Sequence, residues 1–175
     1  MADFKIKKIL FSAEQIKERT AELGKLIEKD YRDKDLILVG VLKGSFHFLS
    51  DLTRCINLPI QIDFIAIGTY AQSTKQKGIV RITKDLDLDI TGKHVLIIED
   101  ILRTGLTTGY LAKNLEARQP ASVKVCTLLL SPDQQLINVP VAYYGFEIDQ
   151  RWLIGYGMDI NEHGRQIPYI AEIDK

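Results

Sequence analysis

Two acidic residues stand side by side near the middle of this 175-residue chain, Glu99 and Asp100, and a short segment rich in hydroxyls and glycine follows them, Arg103 to Thr108 around Gly105. Adjacent carboxylates can bind sugar hydroxyls or take part in a Mg²⁺ site. The backbone N–H groups and hydroxyls of a tight loop that opens a helix can hold a phosphate. Together they could hold a phosphate with sugar hydroxyls or Mg²⁺ beside it. The competing reading is the ordinary strand-to-helix loop found in every α/β domain, and the pattern alone does not separate the two.

The elements around this stretch must position it. Val95 to Ile98 are four apolar residues in a row, the pattern of a strand buried on both faces, which delivers the two acids at its carboxyl end; an amphipathic helix follows from Tyr110 to Arg118. A second unit of the same kind runs from the apolar strand Leu36 to Leu42 through Lys43-Gly44-Ser45 into the helical spacing of Phe46, Leu49 and Leu52. Gly44 there lets backbone approach a ligand beside Lys43, or simply makes the turn. Ser12 and Gln15 form a capping box for a helix reaching Asp30, with Ile16, Leu23, Leu26 and Ile27 on its apolar face. Further strands are expected at Ile60 to Ile67, Ile79 to Ile82 and Val123 to Leu130. The polar, glycine-bounded segment from Gly68 to Gly78 reads as a lid loop, and Asp85 to Gly92 as a turn back into the central strand.

Strands alternating with helices predict an α/β fold, a doubly wound and mostly parallel sheet with ligands outside its carboxyl edge. Val141 to Phe146 and Trp152 to Tyr156 are short strand-like pieces in an aromatic, glycine-rich region, read as a small flap over that sheet. A hydrophobic content of 46% supports one domain, residues 1–175, with a proper core. Lys plus Arg and Asp plus Glu both number 23, so bulk charge draws the chain to neither nucleic acid nor membrane. Cys55 and Cys126 lack metal-ligand spacing and are expected as buried free thiols. With no signal peptide and no apolar run near the roughly 18 residues of a membrane span, a cytoplasmic protein is expected.

Glu99 to Thr107 resembles the phosphoribosyl-diphosphate (PRPP) signature of the purine phosphoribosyltransferases, nearest the hypoxanthine-guanine branch. Val41 to Ser45 resembles their diphosphate-binding loop, and Thr69-Tyr70 with Ser73-Thr74 their lid. Gly145 to Ile148 and Gly155 to Asp159 are similar to their hood segment, which implies a small hood built from the chain ends, about residues 1–12 and 143–175. The resemblance implies transfer of phosphoribosyl from PRPP to hypoxanthine or guanine, with Mg²⁺ and a homodimer or homotetramer. It assigns Glu99 and Asp100 to the ribose hydroxyls and, with Asp159, to the metal; Thr104, Gly105, Leu106 and Thr107 to the 5′-phosphate; and Lys43, Gly44 and Arg165 to diphosphate. Trp152 would stack on the purine and the Leu153 backbone would read its edge.

Two residues depart from the family pattern. Arg103 stands where the family carries an aspartate regarded as the general base, and a guanidinium accepts no proton. Ser131 stands where a lysine donates to the purine 6-oxo group. An arginine fork can donate to neighbouring N7 and O6 acceptors, so Arg103 is a candidate catalytic and purine-reading residue; the alternatives are that it faces solvent or is an introduced substitution. The departures also leave room for a nucleotide- or PRPP-binding regulator, and an RNA-binding attenuator of the pyrimidine branch is a third reading.

Overall fold

Alternation along the central strands sets the architecture of the computed structural model, which describes residues 4–69, 80–149 and 152–174. In β2 (Leu36–Leu42) and β5 (His94–Leu102), Leu36, Leu38, Leu96 and Ile98 join the core beneath helices α1 (Ala13–Asp30) and α2 (Phe46–Thr53). Ile37, Val39, Val95 and Ile97 face the opposite way, into the core shared with α3 (Leu106–Glu116). Successive side chains of a strand point to opposite faces, so unbroken apolar runs are what a sheet covered on both sides requires. The expected doubly wound, mostly parallel α/β sheet is thus present.

Six strands build it in the order β4-β3-β2-β5-β6-β7. Strand β3 (Gln61–Thr69) and β6 (Ser122–Leu130) run parallel to their central neighbours, while β4 (Val80–Lys84) is antiparallel to β3 at one edge. The other edge corrects an expectation. Val141–Glu147 is no flap: it forms β7, parallel to β6. Tyr143 is buried and donates from its hydroxyl to Asp30 at 2.7 Å, while Arg19 of α1 donates to the Tyr144 and Gly145 carbonyls. These side-chain bonds between distant segments hold the strand-like piece at the edge of the main sheet, a place its own sequence does not announce. The hood is a separate antiparallel sheet, β1 (Lys5–Phe11), β9 (Ile170–Asp174) and β8 (Leu153–Ile154), made from both ends of the chain.

Local chemistry explains the helix ends. Ser12 accepts from the Gln15 N–H and the Gln15 side chain accepts from the Ser12 N–H, the capping box of α1. Helix α3 begins earlier than its apolar spacing suggested, directly after Gly105, whose φ of 77° suits glycine. Both cysteines are free, Cys126 fully buried and Cys55 only partly so. No described helix is long and apolar enough to cross a membrane.

One buried carboxylate anchors the approach to β5. Asp63 on β3 is 4% exposed and accepts from the backbone N–H of Phe64 at 2.7 Å and of Asp87 and Leu88 at 2.8 Å each. Burial alone would raise its pKa, but these three donors and the Lys84 ammonium 3.6 Å away hold it below the usual carboxylate range. Asp63→Ala strands two N–H groups of the 85–92 segment and should cost about 1–3 kcal/mol in urea unfolding; a loss no larger than that of the exposed Asp87→Ala would contradict this role.

Candidate active site

The two acids diverge because they are neighbours on a strand. Glu99 turns toward α3, is 6% exposed, and accepts from the Thr108 hydroxyl at 2.9 Å. It lines a cavity of about 310 Å³ with Val41, Ile67, Thr104, Gly105 and Thr107. Asp100 turns the other way, into a cavity of about 250 Å³ with Trp152, Leu153, Met158 and Asp159. The carboxylates expected as one adjacent pair therefore serve adjoining chambers, with Ile101 and Arg103 lining both. A larger cavity of about 570 Å³ lies beside α1, α2 and residues 166–168 and carries none of the candidate residues.

Desolvation dominates the electrostatics here. Burial, reinforced by the Asp100 charge and opposed by the Thr108 hydrogen bond, pushes Glu99 up to about 8. Burial also lifts Asp100 to about 6, against the pull of backbone N–H donors and Arg165. Burial draws Arg103 below the ordinary arginine value, opposed by the charge of Asp100. At neutral pH the chamber therefore holds a carboxyl that favours its proton beside a guanidinium that keeps its own.

The tight strand-to-helix loop forms where expected. Gly105 caps α3 in the left-handed region, and a Cβ there would lie 2.8 Å from Val139 Cγ2. Thr104, Leu106 and Thr107 are exposed, and Leu106 and Thr107 supply the first N–H groups of the helix.

A second loop closes on this one. Lys43 and Gly44 follow β2, with a cis Leu42–Lys43 peptide. A Cβ on Gly44 would overlap the Asp100 carboxylate, and a Cβ on Gly157, where φ is 100°, would overlap the Gly44 carbonyl. Arg165 lies behind the junction, donating to the Gly157 carbonyl at 2.7 Å and pairing with Asp159 at 2.8 Å and Glu162 at 3.2 Å. Lys43 meets Glu162 at 3.0 Å, so both expected diphosphate cations converge on one turn.

The remaining expectations divide. Trp152 is 42% exposed at the mouth of the Asp100 chamber, and Leu153 is buried in β8 behind it. Ser131 is buried, and its N–H donates to the Leu102 carbonyl at 2.9 Å, which sets it next to the residue that precedes Arg103. Thr69 ends β3, whereas Tyr70, Ser73 and Thr74 lie outside the described residues. Among the described residues no three His, Cys, Asp or Glu side chains cluster as a metal site; of the three expected ligands, Asp100 and Asp159 share a chamber and Glu99 does not. Sequence reading missed Thr108, which fixes Glu99, and Glu162, which joins the cations. Thr108 carried a signal, since it falls on the inner side of the first turn of α3; Glu162 carried none, because its partner Lys43 lies far away in the chain.

Residues 10–161 match the phosphoribosyl transferase domain family, and the chain belongs to it. It is 47% identical over 175 residues to a hypoxanthine-guanine phosphoribosyltransferase of Mycobacterium tuberculosis, covering 97% of this chain and 87% of the relative. It is 44% identical over 168 residues to the hypoxanthine phosphoribosyltransferase of Haemophilus influenzae, covering 94% of each. A crystal structure of a hypoxanthine-guanine phosphoribosyltransferase from Bacillus anthracis superposes with a TM-score of 0.90 at 37% identity, over 98% of this chain and 100% of that one. The resemblance read from the separated motifs is borne out.

The raised Glu99 value has a consequence for stability. A carboxyl whose folded pKa lies above its ordinary 4.5 favours the folded state while protonated, so its contribution is complete below about 4.5 and is lost as pH rises through about 8. The melting temperature of the ligand-free protein should therefore fall over this range, and Glu99→Gln should flatten the fall. An unchanged slope in the variant would contradict the assignment.

Proposed function

We propose that the protein is a purine-salvage enzyme that transfers the 5-phosphoribosyl group of PRPP to hypoxanthine or guanine, giving IMP or GMP and diphosphate. The observation that carries this reading is the junction at Asp100. The Lys43-Gly44 loop touches its carboxylate, the phosphate loop follows it on the same strand-to-helix turn, and the chamber bearing Trp152 opens beside it. Relatives aligned over most of their length carry the names of enzymes of this reaction class.

Cleavage between ribose C1 and diphosphate builds positive charge on the sugar and negative charge on the leaving group. In our reading Thr104 to Thr107 hold the 5′-phosphate, while Lys43, the Gly44 backbone and Arg165 hold the diphosphate and stabilise its growing charge. Glu99 and Asp100 orient the ribose hydroxyls from their two chambers. Thr69 and Tyr70 belong to a lid that excludes water from the reaction. Asp100 and Asp159 suit a Mg²⁺ that arrives with PRPP, because this ion typically takes one or two carboxylates and fills its shell with water and substrate phosphate. When bound it neutralises diphosphate charge.

Trp152 stacks on the purine, the Leu153 backbone meets its edge, and Arg103 donates to N7 and O6 in place of the lysine that Ser131 replaces. Its position supports this: it is half-buried and lines both the phosphate and the Trp152 chambers, which counts against a guanidinium directed only at solvent. Arg103 cannot take the N7 proton, so that proton leaves to water, to diphosphate, or before the purine binds. Since a positioned base is worth roughly 10²- to 10⁴-fold, the rate should lie below that of an enzyme with a carboxylate there. We place the enzyme in the cytoplasm, where its polyanionic substrate is retained, and expect a homodimer or homotetramer.

Steady-state assays should detect diphosphate release from PRPP only when hypoxanthine or guanine is present; binding of PRPP without turnover would favour a regulator instead. Arg103→Ala should raise the KM for purine by about tenfold, the loss of a bidentate contact, with a smaller change for PRPP. The reverse order would overturn its role as a purine reader.

A further inference from the structure

The turn after Asp159 carries a carboxylate that the proposed reaction does not use. Asn161 and Glu162 have φ of 51° and 66°, a left-handed conformation that L-residues seldom adopt. The Glu162 N–H donates to Asp159 Oδ2 at 2.7 Å, which helps to hold the turn. From there the Glu162 side chain reaches back toward the site. Its Oε2 lies 3.0 Å from Lys43 Nζ and 3.2 Å from Arg165 Nη2, so a single oxygen bridges the two cations. Their hydrogen bonds hold the carboxyl below its ordinary range.

We propose that Glu162 is a stand-in anion: in the ligand-free protein its carboxylate fills the place between Lys43 and Arg165 that diphosphate takes, and it swings out when PRPP binds. The inference rests on the reading of Lys43 and Arg165 as the diphosphate cations. It accounts for how two cations are kept close together without a ligand, because an anion lies between them in both states. Arg165 does not lose its place in the exchange, since Asp159 at 2.8 Å and the Gly157 carbonyl at 2.7 Å hold the guanidinium independently. Diphosphate wins because it offers more charge and more acceptor oxygens than one carboxylate. The competition is mild, for the Glu162 and Lys43 side chains are 63% and 65% exposed and water screens their pair. A mild competitor sets a threshold that a polyanion passes easily and a singly charged anion does not.

Calorimetric titration of the full chain tests this with three probes: inorganic diphosphate, PRPP and IMP. Glu162→Gln keeps the N–H bond to Asp159 and the length of the side chain while removing its charge. The variant should bind diphosphate and PRPP about three- to tenfold more tightly, the range for release of exposed ion pairs. Its affinity for IMP, which places no group between the two cations, should not change. Equal or weaker diphosphate binding by the variant, with the unmodified protein binding normally, overturns the stand-in. Failure of the unmodified protein to bind diphosphate or PRPP while it still binds IMP would instead remove the assignment of Lys43 and Arg165, and the inference with it.

Discussion

The site depends on a place where no side chain fits. At Gly44 the backbone after β2 lies against the Asp100 carboxylate, and at Gly157 the hood backbone lies against the Gly44 carbonyl. Three segments distant in sequence meet there through main chain and one acid. In an apolar core, packing leaves some freedom to exchange one side chain for another of similar volume. At this junction any Cβ would overlap an oxygen, so the loop's distance from β5 is fixed by the absence of atoms. The position of Lys43 beside Asp100 and the approach of residue 157 to the same loop follow from that distance.

Charge is then arranged around a desolvated centre. Glu99 and Asp100 are placed by strand alternation in separate chambers, which keeps two carboxylates from crowding one ligand group and leaves each raised in pKa mainly by burial. The cations sit further out, Arg165 partly buried and Lys43 exposed. Acids deep in the site and cations at its rim suit a ligand that places its sugar inward and its phosphates outward. The helix start at Gly105 adds donors without adding a titratable group.

Much of this arrangement is legible in the sequence where one segment carries its own signal. The runs Leu36 to Leu42 and Val95 to Ile98 read as central strands because burial on both faces removes polar alternation, and Ser12 with Gln15 states the start of α1. The loop that opens α3 is equally plain, since Gly105 between hydroxyl residues serves a local turn. What escaped depends on partners far along the chain. Strand β7 is held by Asp30 and Arg19 of α1, so Val141 to Phe146 alone reads as a flap. Asp63 looks like a surface acid within a strand until the N–H groups of Asp87 and Leu88 are brought to it. Glu162 acquires meaning only from a lysine 119 positions away.

The most direct test of the account is calorimetric titration of Gly44→Ala with PRPP, beside IMP as a probe of the proposed phosphate and purine chambers. The account predicts a cooperatively melting variant that still binds IMP but binds PRPP at least about tenfold more weakly, because a methyl group forces the Lys43-Gly44 loop, the proposed diphosphate loop, away from Asp100. PRPP binding as tight as that of the unmodified protein would contradict it.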